Sequence, residues 1–189
     1  IDSDKNTFTN TYDIPRPFIS RIPSGEKEIE IIHQLLGDSV QVKNIQKFDQ
    51  SYYLSGLYQD ILSISGKTNL SQTNHSFFVC KMSETLTLDW IKSFNSDEKV
   101  SNLQVVKPSN DGIILGGDFI GNLYEDENLL LSSTKQSSDI FLLTISDLNS
   151  PVQVSSFGQD GNETLSSMSS TGNGDLVLAI NVQKAAQNL

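Results

Sequence analysis

The chain has one cysteine, Cys80, in 189 residues. A single thiol cannot close an intramolecular disulfide or supply a cysteine-based zinc site. It leaves the compartment open. Basic residues are scarce too: 13 Lys and Arg stand against 23 Asp and Glu, for a formal charge of −10 and a pI of about 4.5. An acidic surface repels a phosphate backbone, which argues against nucleic acid as a partner. No basic run invites an anionic membrane. No apolar run approaches the ~20 residues that a bilayer-spanning helix needs. The opening Ile1-Asp-Ser-Asp4 is polar at once, so no signal peptide is visible there. It also lacks an initiator Met, and the expectation is a start inside a longer or processed protein.

Catalytic and cofactor signals are equally thin. Histidine occurs twice, at His33 and His75, with no second ligand pattern near either. No Gly-x-Ser-x-Gly elbow marks a nucleophile. Gly112-x-x-x-Gly116 follows a turn and precedes a strand, the wrong setting for a phosphate loop, and no cofactor is expected. Asp2, Asp4 and Asn6 have the spacing of a calcium loop. Its sixth position is Thr7 rather than Gly, and no helices flank it. Trp90 and Cys80 align with small or apolar strand residues and read as core.

What the chain does have is a repeat. Asn110-Asp-Gly-Ile-Ile-Leu-Gly-Gly-Asp-Phe-Ile-Gly121 is a turn, a short apolar strand and a glycine-rich exit. Related copies begin at Thr7, Tyr52 and Leu176, so the four are spaced by 45, 61 and 63 residues. The first spacing suits a four-stranded propeller blade of roughly 40–50 residues. The longer ones carry insertions at 59–76 and 120–139, each a short apolar run with a Ser/Asn-rich tail. Between these landmarks Phe18–Ile22, Phe78–Met82 and Phe141–Ile145 match one another, as do Glu28–Leu35, Thr87–Phe94 and Val152–Phe157. The first complete unit reads as strands at 18–22, 29–35, 41–48 and 52–58, with Gly/Asn/Asp turns between them. Ser24–Leu36 could also be an amphipathic helix capped by Ser24. The alternation of Ile29, Ile31, His33 and Leu35 favours a strand.

The expected fold is therefore all-β, built of four-stranded antiparallel propeller-type blades at 13–58, 77–119 and 140–182, with a partial blade at 1–12. About three and a half blades cannot close the ring of roughly four to eight that a propeller needs. Open edge strands invite aggregation. Further blades are expected from a longer chain or from an assembly partner.

Asp139-Ile-Phe-Leu-Leu-Thr-Ile145, Val152-Gln-Val-Ser-Ser-Phe-Gly158 and Gly174-Asp-Leu-Val-Leu-Ala179 together resemble the bacterial β-propeller repeat family. Phe78–Met82, Leu88-Asp-Trp-Ile-Lys-Ser-Phe94 and Asn110–Gly121 follow the same pattern. The first unit departs from it, lacking the Trp and the glycine pair. The resemblance covers nearly the whole chain. It implies a non-enzymatic propeller of a secreted or surface protein and transfers no catalytic residue.

Three acids, Asp38, Asp97 and Asp160, occupy equivalent loops. They could form a carboxylate ring for a cation or a basic partner, or each could cap its own turn. Their recurrence in every unit favours capping. Asn69, Asn74 and Asn162 fit the N-glycosylation pattern, which has meaning only in a secreting eukaryote. The function expected is an interaction module that binds protein or glycan through blade-end loops, with the insertions as its variable surface. The alternatives are a structural subunit of an extracellular filament or coat, and part of a propeller enzyme with its site in the central channel.

Overall fold

The computed structural model describes residues 17–22, 24, 30–70, 73, 75–109, 112–134, 137–159 and 161–184; the side chains of 30–34, 38, 109 and 184 lie outside that description. Fifteen strands account for most of these residues: β1 (Phe18–Arg21), β2 (Glu30–Gln34), β3 (Leu36–Phe48), β4 (Ser51–Ile64), β5 (Lys67–Leu70), β6 (His75–Ser83), β7 (Leu88–Ser96), β8 (Lys99–Ser109), β9 (Gly112–Ile120), β10 (Asn122–Glu125), β11 (Asn128–Ser132), β12 (Asp139–Ile145), β13 (Gln153–Phe157), β14 (Gly161–Ser170) and β15 (Leu176–Lys184). No helix occurs among the described residues, and so none is long and apolar enough to cross a membrane. The all-β expectation holds among these residues, and Glu30–Gln34, within the segment that could have been helical, forms β2.

Every pairing is antiparallel. The strands fall into four sheets: β1-β2; β3-β4-β6-β7, with β5 beside β4 and the β10–β11 hairpin beyond β7; β8-β9-β12-β13; and β14-β15. These sets are phased two strands away from the units read in the sequence. β4 pairs β6 from Ser51↔Ser83 to Tyr58↔Ser76, directly across the 59–76 insertion. β9 pairs β12 from Asp139↔Phe119 to Ile145↔Ile113, across the second insertion. The strands on either side of each insertion are thus neighbours in one sheet, not members of successive units. A repeat fixes spacing, but any of four equivalent points could be the break between sheets. Only the hydrogen bonding decides which it is.

Strand periodicity explains how the sheets stack. Successive residues of a strand point to opposite faces, and in β6 both faces are apolar. Phe77 and Val79 enter one core with Phe94, Leu115, Phe119, Phe141 and Leu143. Phe78, Cys80 and Met82 enter another with Ile19, Leu35, Leu54 and Tyr58. β12 is divided likewise: Phe141 and Leu143 face backward, while Ile140 and Leu142 face forward onto Leu165 and Met168 of β14. The four sheets therefore pack face to face in chain order, with a core in each of the three gaps. Aromatic contacts bridge the middle gap, where Phe77 lies 5.2 Å from Phe94 and 5.4 Å from Phe141 between ring centroids. Truncating a fully buried Phe of this kind costs about 3–5 kcal/mol.

The turns follow their residues. Ser65 and Gly66 both have positive φ, 52° and 78°, which suits the two-residue β4–β5 hairpin. Asp49 and Asp126 take φ 52° at the turns into β4 and β11, a conformation that Asp tolerates through its short polar side chain.

Candidate functional site

The first strands of three of the four sheets carry the same irregularity. Register shifts interrupt β3 between Val42 and Asn44, β8 between Ser101 and Gln104, and β14 between Leu165 and Ser167. In each case pairing resumes at equivalent points: Asn44↔Ser55, Gln104↔Gly116 and Ser167↔Ala179. A bulge of this kind re-aims side chains. Asn102 accordingly takes φ 52°.

Between β8 and β14 the re-aimed groups are consumed in joining the sheets. The Gln104 amide donates to Ser166 O at 3.0 Å and accepts from Met168 N at 2.8 Å. Asp118, on β9 and only 4% exposed, accepts from Ser101 Oγ at 2.6 Å, Asn102 Nδ2 at 2.7 Å and Leu165 N at 3.2 Å. A buried carboxylate is tolerable only when it is supplied with donors in this way.

Between β3 and β8 the arrangement differs. Asn44 Oδ1 is buried and receives no hydrogen bond. It sits in a groove with Lys43, Leu57, Ser101, Asn102 and Gln104. Leu57 also borders an adjoining hollow that includes Gln41, His75 and Ser76. Lys43 Nζ donates to Gln41 Oε1 at 2.8 Å. The described lining sets amides, a hydroxyl and the Lys43 ammonium around two leucines, Leu57 and Leu103. That chemistry can hydrogen-bond a neutral polar ligand.

The insertions form two hairpins with different fates. β5 pairs with the extension of β4, and Ile61 and Leu70 are directly opposite partners there, 44% and 70% exposed. The β10–β11 hairpin instead crosses to the preceding sheet, where Leu123↔Ser96 and Tyr124↔Asn95 cover the edge of β7. Such cover protects an edge from stray pairing. Lys92 of β7 anchors it through an ion pair to Glu125 at 2.6 Å, and also reaches the Leu148 and Ser150 carbonyls at 3.4 Å. Leu129 stays 58% exposed on the far strand.

Asp97 has a structural role. Its two carboxylate oxygens accept from Asn122 N at 2.6 Å and Asn122 Nδ2 at 2.7 Å. Gly121, at φ +84°, clears the way: a Cβ there would lie 2.2 Å from Asp97 Oδ1. The backbone of Asp38 lies in β3 opposite Gln59, its side chain outside the described residues, and Asp160 lies outside them altogether. Among the described residues no three His, Cys, Asp or Glu side chains gather as a metal-binding group. Asn69 Nδ2, the atom a glycan would join, is buried in β5 without a partner. Asn162 is exposed, with Oδ1 accepting from Ser138 N at 3.0 Å, and Asn74 lies outside the described residues. Cys80 is fully buried, and burial pushes its thiol up to about 12. Trp90 is half-buried at the edge of the middle core, 6.2 Å from Tyr53 between ring centroids. His75 is exposed at the mouth of the hollow; the side chain of His33 is not among those described.

Sequence reasoning missed Asp118 and Asp139. Asp139 is 2% exposed and accepts from Thr134 N at 2.8 Å and Thr134 Oγ1 at 2.9 Å. Both acids interrupt or abut apolar strand runs, and a carboxylate in that position must find donors when it is buried. Searches of protein-family models, curated proteins and solved structures find no match to the chain.

Proposed function

We propose that the protein is a propeller-type interaction module of a secreted or surface protein, and that it binds a protein partner through its inserted hairpins. The observation that carries this reading is the Ile61–Leu70 pair. Two large aliphatic side chains stand side by side on a hairpin that the repeat does not need, and Leu129 is exposed on the second hairpin. Scattered exposed leucines are ordinary, whereas paired ones on an added element suit a contact surface. A photo-crosslinking residue at position 61 or 70 is expected to capture a partner from the cells that make the protein. The same residue at Leu148, exposed but outside the hairpins, is expected not to. Equal capture at all three sites would defeat the proposal.

A second reading rests on the β3–β8 groove. The unsatisfied Asn44 Oδ1 beside amides and a hydroxyl suits a neutral glycan. Glycan-array binding that Asn44→Ala abolishes and Ile61→Asp spares would favour it over the hairpin surface.

A further inference from the structure

Two equivalent gaps between sheets are filled differently. Asn44 on β3 is the counterpart of Gln104 on β8, since each restarts the pairing after its bulge, Asn44↔Ser55 and Gln104↔Gly116. Leu57 of β4 is likewise the counterpart of Asp118 of β9. Each follows the glycine that lies opposite a phenylalanine, Gly56↔Phe78 and Gly117↔Phe141. In the β8–β14 gap, Gln104 bonds the Ser166 carbonyl and the Met168 amide, and Asp118 takes the Leu165 amide. Neither bridge has a counterpart among the described residues of the β3–β8 gap. The Asn44 side chain is one methylene shorter than that of Gln104, and the Leu57 side chain has no polar atom.

The result is a face that lacks partners. Asn44 Oδ1 is buried and unbonded among the described residues, and so is Ser55 Oγ on its strand partner. Directly opposite residues of a ladder share one face of the sheet. Leaving a buried acceptor unbonded is unfavourable, so a ligand that brings a donor to it gains the difference. The groove beside Asn44 measures about 400 Å³, within the range of small-molecule sites.

We propose that this groove takes the acetamido group of an N-acetylated amino sugar. The inference rests on the glycan reading above and names the kind of sugar. An acetamido group is an amide with a methyl end. Its N–H donates to Asn44 Oδ1, much as the Gln104 amide donates to the Ser166 carbonyl across the next gap. Its methyl lies against Leu57 and Leu103, the two leucines of the lining. Lys43 Nζ gives one proton to Gln41 Oε1, and an ammonium has three, which leaves donors for the acetamido carbonyl. Past Leu57 the adjoining hollow offers Gln41 and Gln59 to the ring hydroxyls. A sugar with hydroxyls alone brings donors but no methyl for the leucines. A free amine loses the methyl too, and its charge is poorly placed against them. A carboxylate has no proton to give Asn44.

Calorimetric titration of the full chain with N,N′-diacetylchitobiose, unacetylated chitobiose and cellobiose tests it. The acetylated disaccharide is expected to bind at least tenfold more tightly than either of the others. Asn44→Gln supplies a side chain long enough to reach β8 itself, as Gln104 reaches β14. It should weaken binding at least tenfold while the unfolding midpoint holds or rises. Leu57→Thr should shrink the preference for the acetylated sugar severalfold, a ratio that a loss of folded protein does not change. Equal binding of cellobiose and the acetylated sugar, both lost in Asn44→Gln, overturns the acetamido inference and leaves the glycan reading standing. Binding of the acetylated sugar that Asn44→Gln leaves unchanged overturns both, since the sugar then sits elsewhere. Binding of none of the three overturns the inference, and the glycan-array result above then decides the broader reading.

Discussion

Gly117 lies beneath the ring of Phe141, its partner on the next strand: a Cβ at 117 would stand 2.8 Å from the ring's Cε1. Gly56 stands in the same relation to Phe78, at 2.7 Å. Each complete sheet thus buries a phenylalanine against a bare stretch of backbone. Gly56→Ala and Gly117→Ala are each expected to destabilise the fold by about 1–3 kcal/mol through overpacking, measured by urea denaturation. Gly66→Ala gives a useful contrast. No atom lies within 4 Å of a Cβ there, so its cost should come only from the positive φ of 78°.

The sheets are also tied by polar bonds. Asp118→Ala leaves the Leu165 amide and the Ser101 and Asn102 side chains without their acceptor. The expected loss is about 3 kcal/mol, since donors to a charged group are left unpaired. Hydrogen exchange should localise the effect: amides of β14 and β15 should open at lower cost than those of β6. Uniform loss across the chain would show that Asp118 does not act at the β8–β14 gap.

Lys92 joins three elements, and removing one partner should differ from removing both. Lys92→Ala leaves Glu125 beside an apolar sheet edge and should cost about 2–4 kcal/mol, the partial exposure of Glu125 keeping it from the upper values for buried pairs. Lys92→Met with Glu125→Leu should be nearly neutral. Thermal unfolding of the single and double variants compares them. Asp147 sits in the turn beside Lys92, held below the usual carboxylate range first by the Ser150 hydroxyl and then by the Asn149 and Ser150 amides. Its contribution is present at neutral pH and fades as the pH falls through the acid range.

Cys80 supplies a pH prediction. Burial raises its folded value from 9.0 to about 12. The folded state therefore binds the proton more tightly than the unfolded state. Stability is unaffected by this group below pH 9 and falls as the pH rises from about 9 towards 12. Cys80→Ala should remove that alkaline slope. At pH 8 the native thiol should resist iodoacetamide, and urea should expose it, as followed by mass.

The legible part of the fold was its local grammar. Tyr52, Ile113 and Leu176 open equivalent strands in the sequence, and in the structure all three lie in second strands. The matching segments Phe18–Ile22, Phe78–Met82 and Phe141–Ile145 fall on β1, β6 and β12. The point of separation between sheets was not legible, because the Asp/Gly turns inside a sheet resemble those between sheets. The bulges before Asn44, Gln104 and Ser167 left no clear mark either, since they depend on pairing with distant strands. The recurrence of Asp97 favoured a cap of its own turn, which is not the bond it makes. Its actual partner, Asn122, lies 25 positions away, beyond the reach of any local pattern. The β3–β8 groove was hidden for the same reason: Asn44 and Asn102 meet only after the sheets have stacked.

The central claim is that the sheets run β3-β4-β6-β7 and β8-β9-β12-β13, with each insertion held inside a sheet. Cross-strand proton–proton contacts measured by NMR test it most directly. Contacts between Leu54 and Cys80 and between Leu115 and Leu143 are expected, matching the strand partners across the two insertions. Their absence, with contacts joining β2 to β3 and β7 to β8 as neighbours in one sheet, would contradict it.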